Sequence, residues 1–343
     1  MNLKELSKSL GLSPTTVSRA LNGYPEVNDA TRKRVADAAL AHNYRPNTRA
    51  KSLATGRAMA IGHVIPQSAN HEIVNPIFAD FIAGAGESYA RAGYDILLSV
   101  VKDVDEAQCY RNLAARGTVD GVILHAPIAN DPRIPLLNQL GLPFVVHGRS
   151  AGAKTPYSWT DVNNRRAFLR ATKLLLDLGH TRIALINGLE TLDFAIRRRN
   201  GYREALAAHE LAPDPALHRS AEMTEVSGYR AAIDMLGLSD PPTAFLSASM
   251  ISAIGIRRAA EERGLKLGTD LSVITHDDVL SYLRNGEEEP IFTATRSSVR
   301  VAGRLAADML LAIIANPGQP PQNRLMEADL VLGGSTGPRK VRG

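Results

Sequence analysis

Apolar residues repeat at helical spacing in three short stretches at the start of the chain. Leu3, Leu6 and Leu10 give the first stretch one apolar face. The second stretch follows Ser13-Pro14, where serine is a good N-cap and proline is tolerated at the first helical position. Asn28 is a suitable cap for the third stretch. Two short helices joined by a tight turn, with a third helix after them, predict a helix-turn-helix unit.

From Ala58 onward, short apolar runs alternate with amphipathic stretches. The predicted strands are Ala60–Ile65, Tyr94–Val101, Val119–His125, Pro143–His147, Arg182–Ile186, Thr243–Ser247 and Leu271–Thr275. The predicted helices are residues 77–91, 105–116, 133–140, 163–178, 195–209, 225–236 and 250–263. Two such alternating series indicate two lobes with parallel sheets. The predicted fold class is an all-α helix-turn-helix headpiece followed by an α/β core of two parallel-sheet lobes.

The positive charge of the chain is concentrated at one end. The 343 residues carry a formal net charge of +5. Residues 1–59 hold ten lysines and arginines against four acidic residues, a net of +6, so the other 284 residues carry −1. A basic end on a near-neutral body is expected of a protein that contacts nucleic acid at that end. The alternative is a solvated basic surface.

The sequence offers little for several other classes of protein. Cys109 is the only cysteine, which excludes an intrachain disulfide and favours a reducing compartment. We see no signal peptide and no run of about 18 apolar residues, so we expect a cytoplasmic protein without a membrane partner. Gly84-Ala85-Gly86 falls inside a predicted helix, and there is no phosphate-binding loop, nucleophile elbow or metal-ligand spacing. The sequence therefore predicts neither an enzyme nor a bound cofactor.

Polar residues occupy the open side of the second predicted helix. Thr15, Thr16, Ser18 and Arg19 can bond to base edges and phosphates if this helix lies in a major groove. The alternative is that they form an ordinary solvated face. The helix pattern alone leaves both interpretations open.

Three segments near the start resemble a known family. Leu3-Lys4-Glu5-Leu6-Ser7, the run from Ser13 to Gly23, and Tyr44-Arg45-Pro46-Asn47 are similar to the headpiece of the LacI/GalR family of bacterial repressors. The shared pattern is a Thr-Val-Ser-Arg run ending in Asn, followed by a Tyr-x-Pro-Asn segment. Core segments at 75–79, 119–123, 178–184 and 201–206 also resemble this family. The resemblance therefore extends from about residue 2 to residue 335.

The resemblance implies which residues contact DNA. They are Pro14, Thr15, Thr16, Ser18, Arg19, Asn22, Arg45, Asn47, Arg49, Leu53 and Ala54. In the family, a hinge helix follows the headpiece, and a leucine at the position of Leu53 enters the minor groove and kinks the duplex. A helix of about nine residues is marginal alone in water, so we expect it to order against its dimer mate on DNA. The alternative for Leu53 is a linker residue packed on the core.

The resemblance also implies a core related to periplasmic sugar-binding proteins, with a ligand held between the lobes. Three strands are expected to cross between lobes near Pro156–Asp161, Glu289–Thr295 and Arg324–Asp329. The expected units are a headpiece at 1–46, a hinge at 47–57, an N-terminal lobe at 58–157 plus 293–323, a C-terminal lobe at 158–292 plus 324–336, and a tail at 337–343.

Candidate effector-binding residues follow from the family's pocket positions. They are Phe78, Asp161, Asp193, Phe194, Arg198, Met223 and Asp277, which suit a sugar because carboxylates and guanidinium bond paired hydroxyls and aromatic rings cover an apolar sugar face. The alternatives are core packing for the aromatic residues and a mutual or interlobe salt bridge for Arg198 and Asp277.

Two departures from the family pattern lie close to these positions. Met250, preceded by Ser249, stands where the family usually has aspartate, and Gly148 replaces another common aspartate. His147, Arg149 and Ser249 therefore become further candidates for effector binding. The His147-Gly148-Arg149 segment resembles regulators of α-glucoside utilisation.

The expected function is a repressor of carbohydrate catabolism genes that binds palindromic operator DNA as a homodimer and is released by a sugar. The resemblance to regulators of α-glucoside utilisation points to an α-glucoside as that sugar. One alternative is a regulator activated by a corepressor or responsive to purines or other metabolites. Two others are a periplasmic solute-binding protein, which would lack the headpiece, and a cytosolic sugar-binding or sugar-processing protein.

The pair Pro14-Thr15 directly precedes the Thr16-Val17-Ser18-Arg19 run, at positions that vary in the family and help to choose the operator. Proline has no side-chain donor, so base reading at Pro14 is limited to apolar contact. We expect that replacing Pro14 and Thr15 together with another regulator's pair changes the operator selected from random-sequence DNA. An unchanged selected sequence would show that the two residues do not read bases.

Overall fold

We describe a computed structural model of the chain. It covers residues 1–21, 23–44, 56–66, 75–276 and 279–340. The chain divides into two compact units, Met1–Met59 and Ala60–Gly343, which are described separately.

The first unit contains the three predicted helices, α1 (Leu3–Leu10), α2 (Pro14–Leu21) and α3 (Asp29–Ala41). Each helix begins with a side-chain cap. The oxygens of Asn2, Ser13 and Asn28 each accept a hydrogen bond from the backbone N–H three residues later. The fully buried side chains Leu6, Val17 and Val35 form the centre of this unit, one from each helix. The helix-turn-helix prediction is confirmed.

The second unit alternates strands and helices, as predicted. Its strands are β1 (Ala60–Pro66), β2 (Asp95–Val101), β3 (Gly121–His125), β4 (Phe144–His147), β5 (Ser158–Val162), β6 (Ile183–Asn187), β7 (His218–Ser220), β8 (Ala244–Ser247), β9 (Ser272–His276), β10 (Thr293–Arg296), β11 (Asn323–Met326) and β12 (Asp329–Val331). Its helices are α4 (Pro76–Ala92), α5 (Glu106–Arg116), α6 (Arg133–Leu140), α7 (Asn164–Asp177), α8 (Asp193–Ala208), α9 (Glu225–Leu236), α10 (Met250–Glu262) and α11 (Val299–Ala315). Of the helices in the described part of the chain, none is long and apolar enough to span a membrane.

The strands form two six-stranded sheets, one in each lobe. The first has the order β11-β5-β4-β3-β1-β2 and all its strands are parallel. The second has the order β12-β10-β9-β8-β6-β7, and only its edge strand β12 is antiparallel. The strands β3, β6, β8 and β9 are buried along their whole length, as expected when helices cover both faces of a parallel sheet. The predicted fold class is confirmed.

The chain crosses between the lobes later in the sequence than the predicted boundaries. β5 and β11 belong to the first sheet, although residues 158–162 and 324–326 were expected in the C-terminal lobe. β10 belongs to the second sheet, although residues 293–296 were expected in the N-terminal lobe. The chain therefore leaves each lobe after its strand rather than before it. These three strands are short and rich in polar residues, so an apolar run does not mark them.

Helices α4 and α11 pack closely on each other through glycine. A Cβ atom at Gly84 of α4 would lie 1.9 Å from the carbonyl oxygen of Arg300, and one at Gly303 of α11 would lie 2.1 Å from that of Phe81. Gly84 of the Gly84-Ala85-Gly86 segment therefore has a packing role within a helix. The helix α11 itself was not predicted from the sequence.

We expect Gly84→Ala to destabilise the core by about 1–3 kcal/mol, because the new methyl group meets backbone that must shift. Gly86→Ala is the matched control on the same helix. Its Cβ would lie 3.7 Å from the nearest atom, the Cδ1 of Ile96, so alanine fits and improves helix propensity. Urea denaturation followed by circular dichroism compares the two variants. Equal stability for both would contradict the close packing at Gly84.

Candidate functional site

The helix α2 presents part of its predicted DNA-reading face to solvent. Pro14, Thr15 and Arg19 are exposed, whereas Thr16 and Ser18 are half-buried. The hydroxyl of Thr16 lies 2.8 Å from that of Ser13, so it takes part in the helix cap. The residues Asn22, Arg45, Asn47, Arg49, Leu53 and Ala54 lie outside the described residues.

A cleft between the two lobes of the second unit contains two adjoining chambers. The outer chamber has a volume of about 550 Å³ and the inner chamber about 160 Å³. They share lining residues from both lobes, namely Asn75, His125, Ala126, Leu192, Phe194 and Met223. The cleft is formed largely by segments at the carboxyl ends of the parallel strands, which is where such sheets bind ligands.

The inner chamber contains a carboxylate held by an arginine. Asp161, at the end of β5, accepts a hydrogen bond from Nε of Arg149 at 2.6 Å and one from Nδ2 of Asn164 at 3.2 Å. Burial raises the pKa of Asp161 above its ordinary value, and the Arg149 guanidinium opposes that shift. Arg149 also lies over the ring of Trp159, 5.2 Å from its centroid. Arg149 therefore reaches the inner chamber through Asp161 and does not itself line it.

A buried arginine of the other lobe also lines the inner chamber. Nε of Arg198 donates to Oδ1 of Asn164 at 2.7 Å, and Nη1 donates to the carbonyl oxygen of Ala248 at 2.8 Å. Its guanidinium stacks on Phe194, with 4.7 Å between its central carbon and the ring centroid. Arg198, Phe194 and Met223 all line the inner chamber. The structure thus brings together side chains from α7, α8 and the segment before α9.

Two histidines of the first sheet line the inner chamber. His125 ends β3 and His147 ends β4, and the two are opposite each other in the strand register. The ring of His125 makes edge contacts with Phe78 and Phe81, at centroid distances of 5.3 and 4.9 Å. Burial lowers the pKa of His147 to about 4 and that of His125 well below its ordinary value. Both side chains are therefore neutral at pH 7.

The second sheet contributes another buried histidine. His276 ends β9 and lines the inner chamber, and its Nδ1 lies 2.6 Å from the hydroxyl of Thr295. Burial lowers its pKa well below the ordinary value. Within the described ranges, no cluster of three or more histidine, cysteine, aspartate or glutamate side chains is arranged to hold a metal ion.

The outer chamber combines apolar and acidic walls. Ile128, Leu189 and Leu192 supply apolar surface, and Asp103, Glu106, Asp131, Glu222 and Glu225 line it together with one arginine, Arg133. Arg133 bonds to Asp131 at 2.6 Å and to Glu106 at 2.9 Å. The carboxylates outnumber the cations around this chamber.

Besides Arg149, two predicted effector-binding residues do not line either chamber. Asp193, at the first position of α8, is buried and accepts a hydrogen bond from the backbone N–H of Ala151 in the other lobe at 2.8 Å. It also pairs with Arg197. Ser249 is fully buried and its hydroxyl caps α10 by accepting from the N–H of Ser252. The neighbouring Met250 packs in the core of the second lobe, and Asp277 lies outside the described residues.

Several lining residues were not predicted from the sequence. They are Phe81, His125, Asn164 and His276, in addition to backbone and apolar positions. A signal existed for the histidines, because His125 ends a predicted parallel strand and His276 directly follows another, and strand ends of this kind meet at the ligand-binding edge of a sheet. Asn164 follows β5, which was not predicted as a strand of the first sheet.

Comparisons with known proteins agree with the helical unit and with the α/β core. Residues 2–47 match the sequence profile described as "Bacterial regulatory proteins, lacI family", and residues 172–336 match that of a periplasmic binding protein-like domain. The chain is 48% identical to the HTH-type transcriptional regulator AglR of Rhizobium meliloti (strain 1021), over all of this chain and 96% of AglR. The resemblance noted in the sequence is confirmed.

Two solved structures are similar over nearly the whole chain. A complex of the transcriptional regulator CelR with cellobiose has a TM-score of 0.72 and 27% identity, and the match covers 98% of this chain and 99% of CelR. The Lac repressor bound to ONPG in its repressed state has a TM-score of 0.82 and 25% identity, over 98% of this chain and 99% of that protein. Both similarities include the two-lobed core.

Burial of His63 makes the stability of the protein depend on pH. His63 on β1 is fully buried, and burial lowers its pKa from 6.5 to about 3. In the unfolded chain His63 binds a proton near pH 6.5, whereas in the folded protein it stays neutral down to about pH 3. The free energy of unfolding therefore falls as the pH drops from 7 towards 3. For His63 the loss between pH 7 and pH 5 is about 1–2 kcal/mol.

We therefore expect His63→Gln to lose less stability than the wild type between pH 7 and pH 5. The matched control is His209→Gln, since His209 is exposed at the end of α8. Urea denaturation at the two pH values gives the difference for each protein, independently of any loss common to both pH values. The same pH dependence in His63→Gln and the wild type would contradict a neutral, buried His63.

Proposed function

Because the chain belongs to the LacI family of bacterial regulatory proteins, we propose that it is a sequence-specific DNA-binding transcription regulator. We propose further that it represses carbohydrate catabolism genes and is released from its operator by a sugar bound between the core lobes. The observation that carries the sugar assignment is the inner chamber, where an aromatic ring, a guanidinium and a carboxylate surround one small volume.

The DNA-binding half of the proposal rests on α2. Its exposed Thr15 and Arg19 provide a hydroxyl and a guanidinium that suit base edges and phosphates in a major groove. The basic charge of residues 1–59 favours binding to the DNA backbone. The other proposed contacts, including Leu53 in the minor groove, rest on the family resemblance.

The inner chamber suits a neutral polyhydroxyl ligand. Asp161 and Arg198 supply an acceptor and a donor group, each bonded to Asn164, and Phe194 supplies an aromatic face. The two charges are opposite in sign, and Asp161 is already paired with Arg149. A charged ligand would therefore gain little from the inner chamber. An anionic ligand would also meet the carboxylates of the outer chamber.

The two adjoining chambers favour a ligand larger than one hexose ring. The inner chamber is narrow and polar, whereas the outer chamber is wider and has apolar walls at Leu189 and Leu192. A disaccharide or glycoside with one ring in each chamber fits this arrangement. The related regulator CelR was solved in complex with cellobiose, which is a disaccharide. For this chain we propose an α-glucoside. The group that is joined to its glucose ring would lie in the outer chamber.

Contacts between the lobes offer a way for the ligand to alter the structure. The N–H of Asp193 donates to the carbonyl oxygen of Pro127 at 3.0 Å, and its carboxylate binds the N–H of Ala151. The N–H of Ser281 donates to Asp80 at 2.7 Å in a second contact between lobes. A sugar that binds one lobe arrangement better than another shifts the population between them, and an inducer must prefer the arrangement with low operator affinity.

A homodimer is part of the proposal, because one helix-turn-helix unit reads a half-site and palindromic operators need two. The edge strand β2 offers a surface for a second copy of the chain. Its alternating side chains Ile96, Leu98 and Val100 are 39%, 45% and 47% exposed. Apolar side chains in a row on an edge strand are costly in water unless another surface covers them.

Two further parts of the proposal rest on the family. We propose that the protein acts in the cytoplasm and binds its effector without chemical turnover, as expected of a transcription regulator. A sugar-processing enzyme is the alternative, and incubation with candidate sugars followed by chromatography would detect turnover. A corepressor or purine-responsive regulator is the second alternative.

A thermal-shift screen with glucose, maltose, sucrose, trehalose and cellobiose, alongside purines, tests the effector class. We expect at least one of the disaccharides to raise the melting temperature and to release the protein from an operator fragment selected from random-sequence DNA. Purines that raise the melting temperature and alter operator binding, with no effect of any sugar, would overturn the carbohydrate assignment.

Replacing the aromatic wall sharpens this test. We expect Phe194→Leu to weaken binding of the active sugar about three- to tenfold, because the ring face and its contact with Arg198 are lost while apolar volume remains. Operator binding without sugar should be unchanged. Tyr229→Leu is the matched control, since the ring of Tyr229 also contacts an arginine, Arg258, but lines neither chamber. Equal sugar affinity in the two variants would contradict the proposed site.

A further inference from the structure

Three buried polar side chains form a chain of hydrogen bonds that ends at the cleft. The hydroxyl of Tyr89 on α4 lies 3.4 Å from Nε2 of His63, and Nδ1 of His63 lies 2.9 Å from Nε2 of His125. The strands β1 and β3 are neighbours, and His63 is opposite Ile123, two residues before His125. The two histidines therefore project from the same face of the first sheet.

The chain of hydrogen bonds is closed off from water at one end and open to the chambers at the other. Tyr89 and His63 are fully buried, whereas His125 lines both chambers. In the described part of the protein, the side chains of Tyr89 and His63 make no hydrogen bonds other than these two. The Nδ1 atom of His125 bonds to none of the described residues, so it is the ring nitrogen left for a ligand.

The number of protons decides which way the hydrogen bonds point. A neutral imidazole has one N–H donor and one acceptor nitrogen. If Tyr89 donates to His63, then Nδ1–H of His63 donates to Nε2 of His125, and His125 carries its own proton on Nδ1. If the direction is reversed, the Tyr89 hydroxyl accepts and its proton is left buried without an acceptor. An unsatisfied buried donor is costly, so the first direction is favoured.

The ring of His125 is also held in place. Phe81 and Phe78 contact it edge-on at 4.9 and 5.3 Å, and the ring of His147 lies at 5.8 Å. A fixed ring with a fixed tautomer offers a donor in one direction. Such a donor recognises an acceptor oxygen at one position of the ligand, which is how a polar group in a ligand site provides specificity.

We propose that Tyr89 and His63 are positioning residues that hold His125 in the Nδ1–H tautomer, so that His125 donates a hydrogen bond to an oxygen of the effector. This inference rests on the proposed function for the nature of the effector. The tautomer itself does not depend on it. His125 thereby becomes a specificity-determining residue of the cleft, together with Asp161 and Arg198.

The tautomer can be read by NMR in the full-length protein without any ligand. Histidine labelled with ¹³C and ¹⁵N reports the tautomer through its ring carbon and nitrogen shifts, and His125→Gln assigns the His125 signals. We expect Nδ1–H for His125 at neutral pH. We expect Tyr89→Phe to move a substantial fraction to Nε2–H, because the donor that fixes the direction is gone. An Nε2–H or charged His125 in the wild type would overturn the proposal.

Tyr110→Phe is the matched control for folding. Tyr110 is a second fully buried tyrosine of the same lobe, and its hydroxyl donates to Glu106 rather than to a histidine. We expect this variant to keep the wild-type tautomer of His125. A tautomer that changes equally in both variants would show a general structural effect and would overturn the role of Tyr89. A tautomer unchanged by Tyr89→Phe would overturn it as well.

The donor role is tested with glucose, maltose, sucrose and cellobiose as probes. For a sugar that raises the melting temperature, we expect the His125 Nδ1–H resonance to shift on binding and Tyr89→Phe to bind it three- to tenfold more weakly than Tyr110→Phe. A bound sugar that leaves this resonance unchanged would overturn the donor role. Binding of none of the four would count against the sugar assignment, while the tautomer measurement would still decide the arrangement of Tyr89, His63 and His125.

Discussion

Polar side chains at the carboxyl ends of buried parallel strands must be paired within the protein, and this constraint shapes the cleft. Asp161 is held by Arg149 and Asn164, and Arg198 by Asn164 and the carbonyl oxygen of Ala248. A single amide, Asn164, therefore connects the acceptor Asp161 with the donor Arg198. The groups that face a ligand are thus fixed by hydrogen bonds within the protein. A ligand site of this kind loses little conformational freedom on binding.

The N-terminal end of α8 connects ligand binding with the contact between lobes. Asp193 binds backbone groups of the other lobe, and its neighbour Phe194 lines both chambers. A ligand that moves the ring of Phe194 acts on backbone adjacent to an interlobe contact. Asp193 was expected to bind the effector, and in the structure its carboxylate bonds to the backbone of the other lobe and pairs with Arg197. Its position next to Phe194 places an interlobe contact beside the lining of the chambers.

The sequence predicted most of the elements because apolar periodicity marks them. The buried strands β3, β6, β8 and β9 and the helix α9 were found close to their observed limits. The polar strands β5, β10 and β11 were not assigned to their sheets, since strands at crossings between lobes carry too few apolar residues for the pattern to show. The sequence also could not predict that Ser249 caps a helix. The same hydroxyl chemistry serves a helix cap and a ligand contact, and only the fold distinguishes them.

One replacement lies in the lining of the inner chamber. Gly148 stands where the LacI/GalR pattern has aspartate, so an acceptor group is absent there, whereas Met250 packs in the core of the second lobe. Asp161 is engaged by Arg149, while Arg198 and the histidines of the first sheet supply N–H groups. These N–H groups are matched by acceptor oxygens on a ligand. The ring and glycosidic oxygens of a glycoside only accept hydrogen bonds, whereas each hydroxyl also donates. Replacing the free anomeric hydroxyl of a sugar by a glycosidic oxygen removes one donor and keeps the acceptor. A glycoside therefore offers the N–H groups of the inner chamber as many acceptor oxygens as the free monosaccharide, with one donor fewer.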